Sequence, residues 1–163
     1  MISTVFTFIW FYLGWFGCIY LANKPNEFLC FLFPLVAFLW LFFKDKKNLQ
    51  ELALLLGLTL VGISFDFASL QIGVIQLHHQ RIFPLWLVSL WLLYASSIPS
   101  MAKFLGSRPW LSALLGGIGG PLCYFYGKAF DLMSFTNNWS VAVYILFWSI
   151  YTPFCIKYVR SQK

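Results

Sequence analysis

Between the chain start and the cluster Lys44-Asp45-Lys46-Lys47, the only charged side chains are Lys24 and Glu27. Everything else there is apolar, aromatic or neutral, and the pattern resumes after the cluster. About 20 helical residues span the roughly 30 Å hydrocarbon core of a bilayer, so charge-free runs of this length predict membrane spans. That one feature sets the solvent and the architecture. Which molecule the protein handles it leaves open.

Composition points the same way. With 61% hydrophobic and 10% charged residues, a single soluble core of 163 residues would have no use for so much apolar surface. The length suits a single integral-membrane helical domain over residues 1–163. A net charge of +6 would suit a nucleic-acid binder if it were spread over one face. Instead the charges gather at the ends of apolar runs, where basic residues meet anionic headgroups. Membrane lipids are therefore the expected partners, and nucleic acid is not.

Six spans are predicted, at about residues 3–22, 27–43, 50–74, 83–102, 110–127 and 139–156. The first differs from a secretory signal: it lacks a basic leading region, carries Trp10 and Trp15, and has no small-x-small site before Lys24. An inside amino terminus puts Lys44, Lys46, Lys47, Lys103, Arg108, Lys157, Arg160 and Lys163 in the cytoplasm. Only Lys24, Arg81 and Lys128 fall outside, and this bias predicts an all-α polytopic bundle with both termini cytoplasmic. Trp40, Trp110 and Trp139 fall near the predicted boundaries, as headgroup-level indoles do.

The third segment carries the most information. Thr59, Gly62, Asp66, Ser69, Gly73 and Gln76 recur at steps of three and four, which predicts one small or polar helical face continuing past Asp66. Asp66 is the one acid deep in a span, and intramembrane acids are costly enough to mark a pathway, a site or a structural polar cluster. Antiparallel packing would bring Trp86 and Ser89 of the fourth segment, and Tyr124 and Tyr126 of the fifth, toward it. Arg81 would serve as counter-ion from the short connection above. Together these predict a polar pocket opening outward with Asp66 at its base. Glu51 lies about 22 Å from Asp66 along one helix, too far for a catalytic carboxylate pair, and suits a first-turn charge.

In the fifth segment, Gly116, Gly117 and Gly120 with Pro121 form small-residue seams that predict close helix packing, with a kink at the proline. No strand precedes them and no Gly-Lys-Ser follows, so a phosphate cradle is not expected. His78-His79 has no HxxxH or acidic companions, so it is expected to be a solvated interfacial pair and not a metal site. Ser89, Ser96 and Ser100 share a helix face without a GxSxG, and are expected to bond between helices. Cys18, Cys30, Cys123 and Cys155 lie in apolar segments without CxxC spacing and are expected as core residues. Neither a metal nor another cofactor is expected.

Leu13-Gly14-Trp15-Phe16-Gly17-Cys18, the stretch Gly57–Gly73 around Asp66, Pro84-Leu85-Trp86 with Leu90-Trp91, and Gly116 to Tyr126 together resemble a bacterial family of small inner-membrane proteins. That family is known as domain of unknown function, family 2878. The resemblance covers essentially the whole chain and implies a multi-pass protein of the bacterial inner membrane. The stretch Ala95-Ser96-Ser97-Ile98-Pro99-Ser100 departs from the Thr- and Asn-containing segment of that family. The resemblance tilts the expected chemistry toward lipids. Three function classes remain. One is a lipid- or isoprenoid-handling protein using a pocket around Asp66. The second is a small transporter or channel subunit with Asp66 as proton or cation site. The third is a structural partner docking another membrane protein, or a second copy, through the glycine face.

Overall fold

The computed structural model describes residues 2–22, 24–43, 48–78, 84–106 and 108–161. Six α-helices run alternately up and down: α1 (Ile2–Leu21), α2 (Leu32–Phe43), α3 (Leu49–Gln71), α4 (Leu85–Leu105), α5 (Pro109–Ala129) and α6 (Asn138–Ser161). A 3-10 turn at Glu27–Phe31 leads into α2. Four helical stretches are long and apolar enough to cross a membrane, namely Thr4–Leu21, Leu49–Gln71, Leu85–Leu105 and Asn138–Ser161. The unit Glu27–Phe43 is apolar but shorter. In α5, Gly116, Gly117, Gly119, Gly120 and Gly127 dilute the hydropathy of a helix of similar length.

The bundle is built around α4. It packs against α1, α2, α3 and α6, and 72% of its apolar window is buried, against 33% for α3. Its sequence suits that place, since Ser89, Ser96, Ser97 and Ser100 would be poor company for lipid and all are buried. The interhelical bonding expected of Ser89, Ser96 and Ser100 is not seen among the described residues. Ser96 and Ser97 donate to Leu93 O and Tyr94 O of their own helix, both at 2.7 Å. Among the described residues, the hydroxyls of Ser89 and Ser100 have no hydrogen-bond partner. Apolar side chains such as Leu60, Val61, Leu114, Leu146 and Ile150 cover the outside of the bundle, as a lipid-facing surface requires.

The glycine seam closes on α6. A Cβ at Gly116 would strike Thr152, at Gly117 Ser149, and at Gly120 the Trp148 ring, whereas one at Gly119 meets nothing within 4 Å. This seam is occupied within the chain, so Gly116, Gly117 and Gly120 are not an open docking face for another membrane protein. Pro121 lies inside a helix that continues to Ala129. Pro99 and Pro153 are likewise embedded in α4 and α6.

Polar caps hold the ends. Asn48 and Glu51 form a reciprocal capping box at the start of α3, with Glu51 N–H donating to Asn48 Oδ1 at 2.8 Å and Asn48 N–H to Glu51 Oε2 at 3.1 Å. Glu51 is thus a first-turn charge; the lysine cluster before it lies outside the described residues. Glu27 Oε1 accepts the Trp86 backbone N–H at 2.9 Å, placing a carboxylate at the N-terminus of α4. Cys18 and Cys30 are both fully buried, each thiol aimed at the other's carbonyl at 3.8 and 3.7 Å.

At the end of the bundle where α3 and α5 finish, the chain forms a short antiparallel ribbon. Strands β1 (Ile75–Leu77) and β2 (Met133–Phe135) pair with Gln76 opposite Ser134. The predicted third helix was to include Gly73 and Gln76, but it stops at Gln71. Gly73 takes a left-handed φ of 72°, and Val74 N–H folds back to Ser69 O at 2.8 Å. Helix α5 ends the same way, with Asp131 at φ 57° and Leu132 N–H bonded to Gly127 O at 2.9 Å. Two matching caps therefore send two strands out side by side. Pairing them satisfies backbone groups that neither helix can serve.

Candidate functional site

Asp66 is fully buried on the inward face of α3, among Leu55, Leu58, Thr59, Gly62 and Ser69. Three donors from three helices converge on it. Trp91 Nε1–H of α4 donates to Oδ2 at 2.6 Å, and the Tyr144 hydroxyl of α6 donates to Oδ1 at 2.8 Å. The Tyr124 hydroxyl of α5 reaches both oxygens at 2.8 Å. An indole N–H can only donate, and a carboxylate can accept at both oxygens, so the donor set matches the acceptor it surrounds. Among the described residues no cation bonds to Asp66.

Small residues make this convergence possible. The Trp91 ring lies over Gly62, one turn before Asp66, where any Cβ would collide with it. On its other side Trp91 stacks on Trp148 at 4.9 Å with planes 3° apart, and Trp148 rests on Gly120. Tyr124 and Tyr144 pack edge to face at 4.5 Å under Phe135 of the ribbon. Helices α3, α4, α5 and α6 are thus tied through one carboxylate inside an aromatic box.

Of the described residues expected around Asp66, only Tyr124 bonds to it. Trp86 is buried, and its backbone serves Glu27. Ser89 is fully buried, and its hydroxyl has no partner among the described residues. Tyr126 is 52% exposed on the outer surface, edge-on to Trp15 at 5.4 Å. Arg81 lies outside the described residues, as does His79. Trp91 and Tyr144 were missed. Their signal was present, since aromatic side chains with polar tips in a span need a buried acceptor, but sequence spacing does not say which acceptor they meet. Among the described residues, both oxygens of Asp66 are engaged and the side chain has no exposure, so it forms a closed knot; the connection carrying Arg81, expected above it, lies outside the described residues.

Open space lies nearby, at the ribbon end. A groove of about 700 Å³ runs between α1 and the turn after α5, lined by Phe16, Ile19, Tyr20, Lys24, Phe130 and Asp131 among others. Its walls are apolar, and its rim carries one cation and one carboxylate. Lys24 Nζ lies 3.2 Å over the Tyr20 ring.

Asp131 belongs to a second arrangement. His78 follows β1, and its backbone N–H bonds Leu132 O at 3.1 Å, extending the ribbon by one pair. On one ribbon face, His78 is then the diagonal neighbour of Ser134. Its Nδ1 meets Asp131 Oδ1 at 2.6 Å and its Nε2 meets Ser134 Oγ at 2.9 Å. The expectation of a solvated pair missed this, because the partners lie more than 50 residues away on a strand that was not foreseen. Among the described residues no group of three or more metal-ligating side chains is gathered.

No curated protein and no solved structure matches the chain. One family model does, over residues 4–154, nearly the full length. With its apolar six-helix bundle, the chain belongs to the family described as Protein of unknown function (DUF2878).

Proposed function

We propose that this protein handles a membrane lipid in the groove at the ribbon end of the bundle. The carrying observation is the lining of that groove: Phe16, Ile19, Tyr20 and Phe130 form an apolar wall, with Lys24 and Asp131 at the rim. A volume of about 700 Å³ suits a headgroup and the first part of an acyl chain. Phe16, Tyr20 and Phe130 are themselves exposed on the outside of the bundle, so a lipid reaches the groove sideways, without crossing water. The Asp66 knot holds α3 through α6 in register beneath it. A fully buried carboxylate engaged at both oxygens by three protein donors is poorly placed to meet a passing cation, which weighs against the transport alternative.

The setting we propose is a bacterial inner membrane with both termini cytoplasmic and the ribbon outside. Among the described residues, Lys103, Arg108, Lys157 and Arg160 mark the end away from the ribbon, and only Lys24 and Lys128 the ribbon end. That bias follows the rule that basic residues stay inside.

The test is mass spectrometry of lipids retained through purification by the wild type and by Lys24→Glu. The wild type should keep a defined phospholipid, and Lys24→Glu should lose most of it. An identical lipid complement in the two would remove the groove from consideration.

A further inference from the structure

We propose that Ser134, His78 and Asp131 form a nucleophile, a general base and its positioning residue for cleaving a carboxylic ester of a lipid. This rests on the lipid reading of the groove, because Asp131 both lines that groove and bonds His78. The order of contacts carries the proposal. Asp131 Oδ1 holds Nδ1 at 2.6 Å, which places a proton there and leaves Nε2 of the neutral ring as an acceptor. The atom 2.9 Å from Nε2 is the Ser134 hydroxyl. Hydroxyl, imidazole and carboxylate in this order are the arrangement by which hydrolases of unrelated folds activate a serine.

The backbone supplies an independent sign. The left-handed cap position at the end of α3 is Gly73, the residue that adopts it freely. The same position at the end of α5 is Asp131, the only described residue other than glycine with a positive φ. At that position Asp131 presents a side chain where Gly73 presents none, and that side chain meets His78. Access agrees as well. The His78 side chain is 28% exposed and Ser134 is half-buried, so neither is sealed off from a substrate. Gln76, directly across from Ser134 in the register and exposed, adds a carboxamide N–H donor on that face for an oxyanion.

The chemistry balances without an added reactant other than water. Ser134 Oγ bonds to the acyl carbon while its proton passes to His78 Nε2. The bond from that carbon to the ester oxygen breaks, and the leaving alcohol takes the proton from Nε2. Water then attacks the acyl-serine, giving its proton to Nε2. The bond from Oγ to the acyl carbon breaks, and Ser134 recovers the proton. Ester and water become carboxylic acid and alcohol. Asp131 touches only the imidazole, orienting it and stabilising its cationic form.

The experiment uses the full chain in nanodiscs with a fluorophosphonate probe, which bonds phosphorus to an activated serine oxygen and releases fluoride. The wild type should be labelled at Ser134, located by peptide mass mapping. Labelling should vanish in Ser134→Ala, slow by about 100-fold or more in His78→Gln, and persist in Ser161→Ala. Asp131→Gly should slow it similarly while the thermal midpoint holds or rises, a split that a merely structural role would not produce. Retained lipid with no labelling, or labelling unchanged in Ser134→Ala, overturns the nucleophile and leaves the groove standing. Labelling of Ser134 in a protein that retains no lipid overturns the lipid substrate instead.

Discussion

Gly73 and Asp131 occupy the same position in two copies of one motif. Each is the left-handed residue just past a helix, at φ 72° and 57°, and each is followed by a residue whose N–H reaches back five positions. The two strands that leave these caps pair with each other, so the ribbon is the joint product of two helix endings. What distinguishes the copies is that Asp131 carries a side chain, and that side chain is bonded to His78.

Replacing Asp131 by glycine removes the steric cost of the left-handed conformation, about 1 kcal/mol, and one exposed contact worth less than that. Thermal unfolding in detergent should show stability unchanged or raised by up to about 1 kcal/mol. A marked loss would mean that the His78 contact holds the ribbon together.

Asp66 should matter most to folding. Asp66→Leu leaves the Trp91 indole and the Tyr124 and Tyr144 hydroxyls without an acceptor, and should cost about 2–5 kcal/mol. Asp66→Asn keeps one acceptor oxygen, and the two phenols can turn to receive its amide, so the cost should be about 1–2 kcal/mol. Equal midpoints for the two variants would show that the converging donors contribute little.

The seam between α5 and α6 gives a paired test. Gly120→Leu forces a side chain into the Trp148 ring and should destabilise by at least about 1–3 kcal/mol. Gly119→Leu, one residue earlier and facing open space, should change stability by less than about 0.5 kcal/mol. Similar losses at both positions would place the seam elsewhere.

Orientation is checked by reporter fusions. Those after Arg108 and at the carboxyl end should read cytoplasmic, and one near Phe135 external. An external carboxyl end would reverse the bundle and put the groove and the ribbon on the cytoplasmic side.

The helices were legible because lipid leaves a chain few choices. Long charge-free runs bounded by Lys or Arg become helices, and the stripe of Thr59, Gly62, Asp66 and Ser69 faces inward as its spacing requires. The stripe misled once it reached Gly73 and Gln76, where a helical period runs into a cap and a strand by coincidence of spacing. The Asn48-x-x-Glu51 box could have been read directly, since Asn followed by Glu three residues later is a capping signature. The site was less legible. Whether Trp91 or Trp86 reaches Asp66 depends on where α4 crosses α3, and Gly62 decides it by making room for one ring. The row from Asp131 to His78 to Ser134 joins residues that only strand pairing brings together. Three-residue strands in a chain this apolar leave no periodicity to find.

The central place of α4 has a consequence for how the protein is made. Ribosomes deliver helices in order, and α4 enters the bilayer before its neighbour α6 exists. In the finished bundle it rests against α1, α2 and α3 as well as α6; until α6 is made, Tyr94 lacks Thr152 and Trp91 lacks its stacking partner Trp148. Its inner face therefore stays unfinished until α6 arrives, and a nascent chain stalled before residue 138 would present that face uncovered.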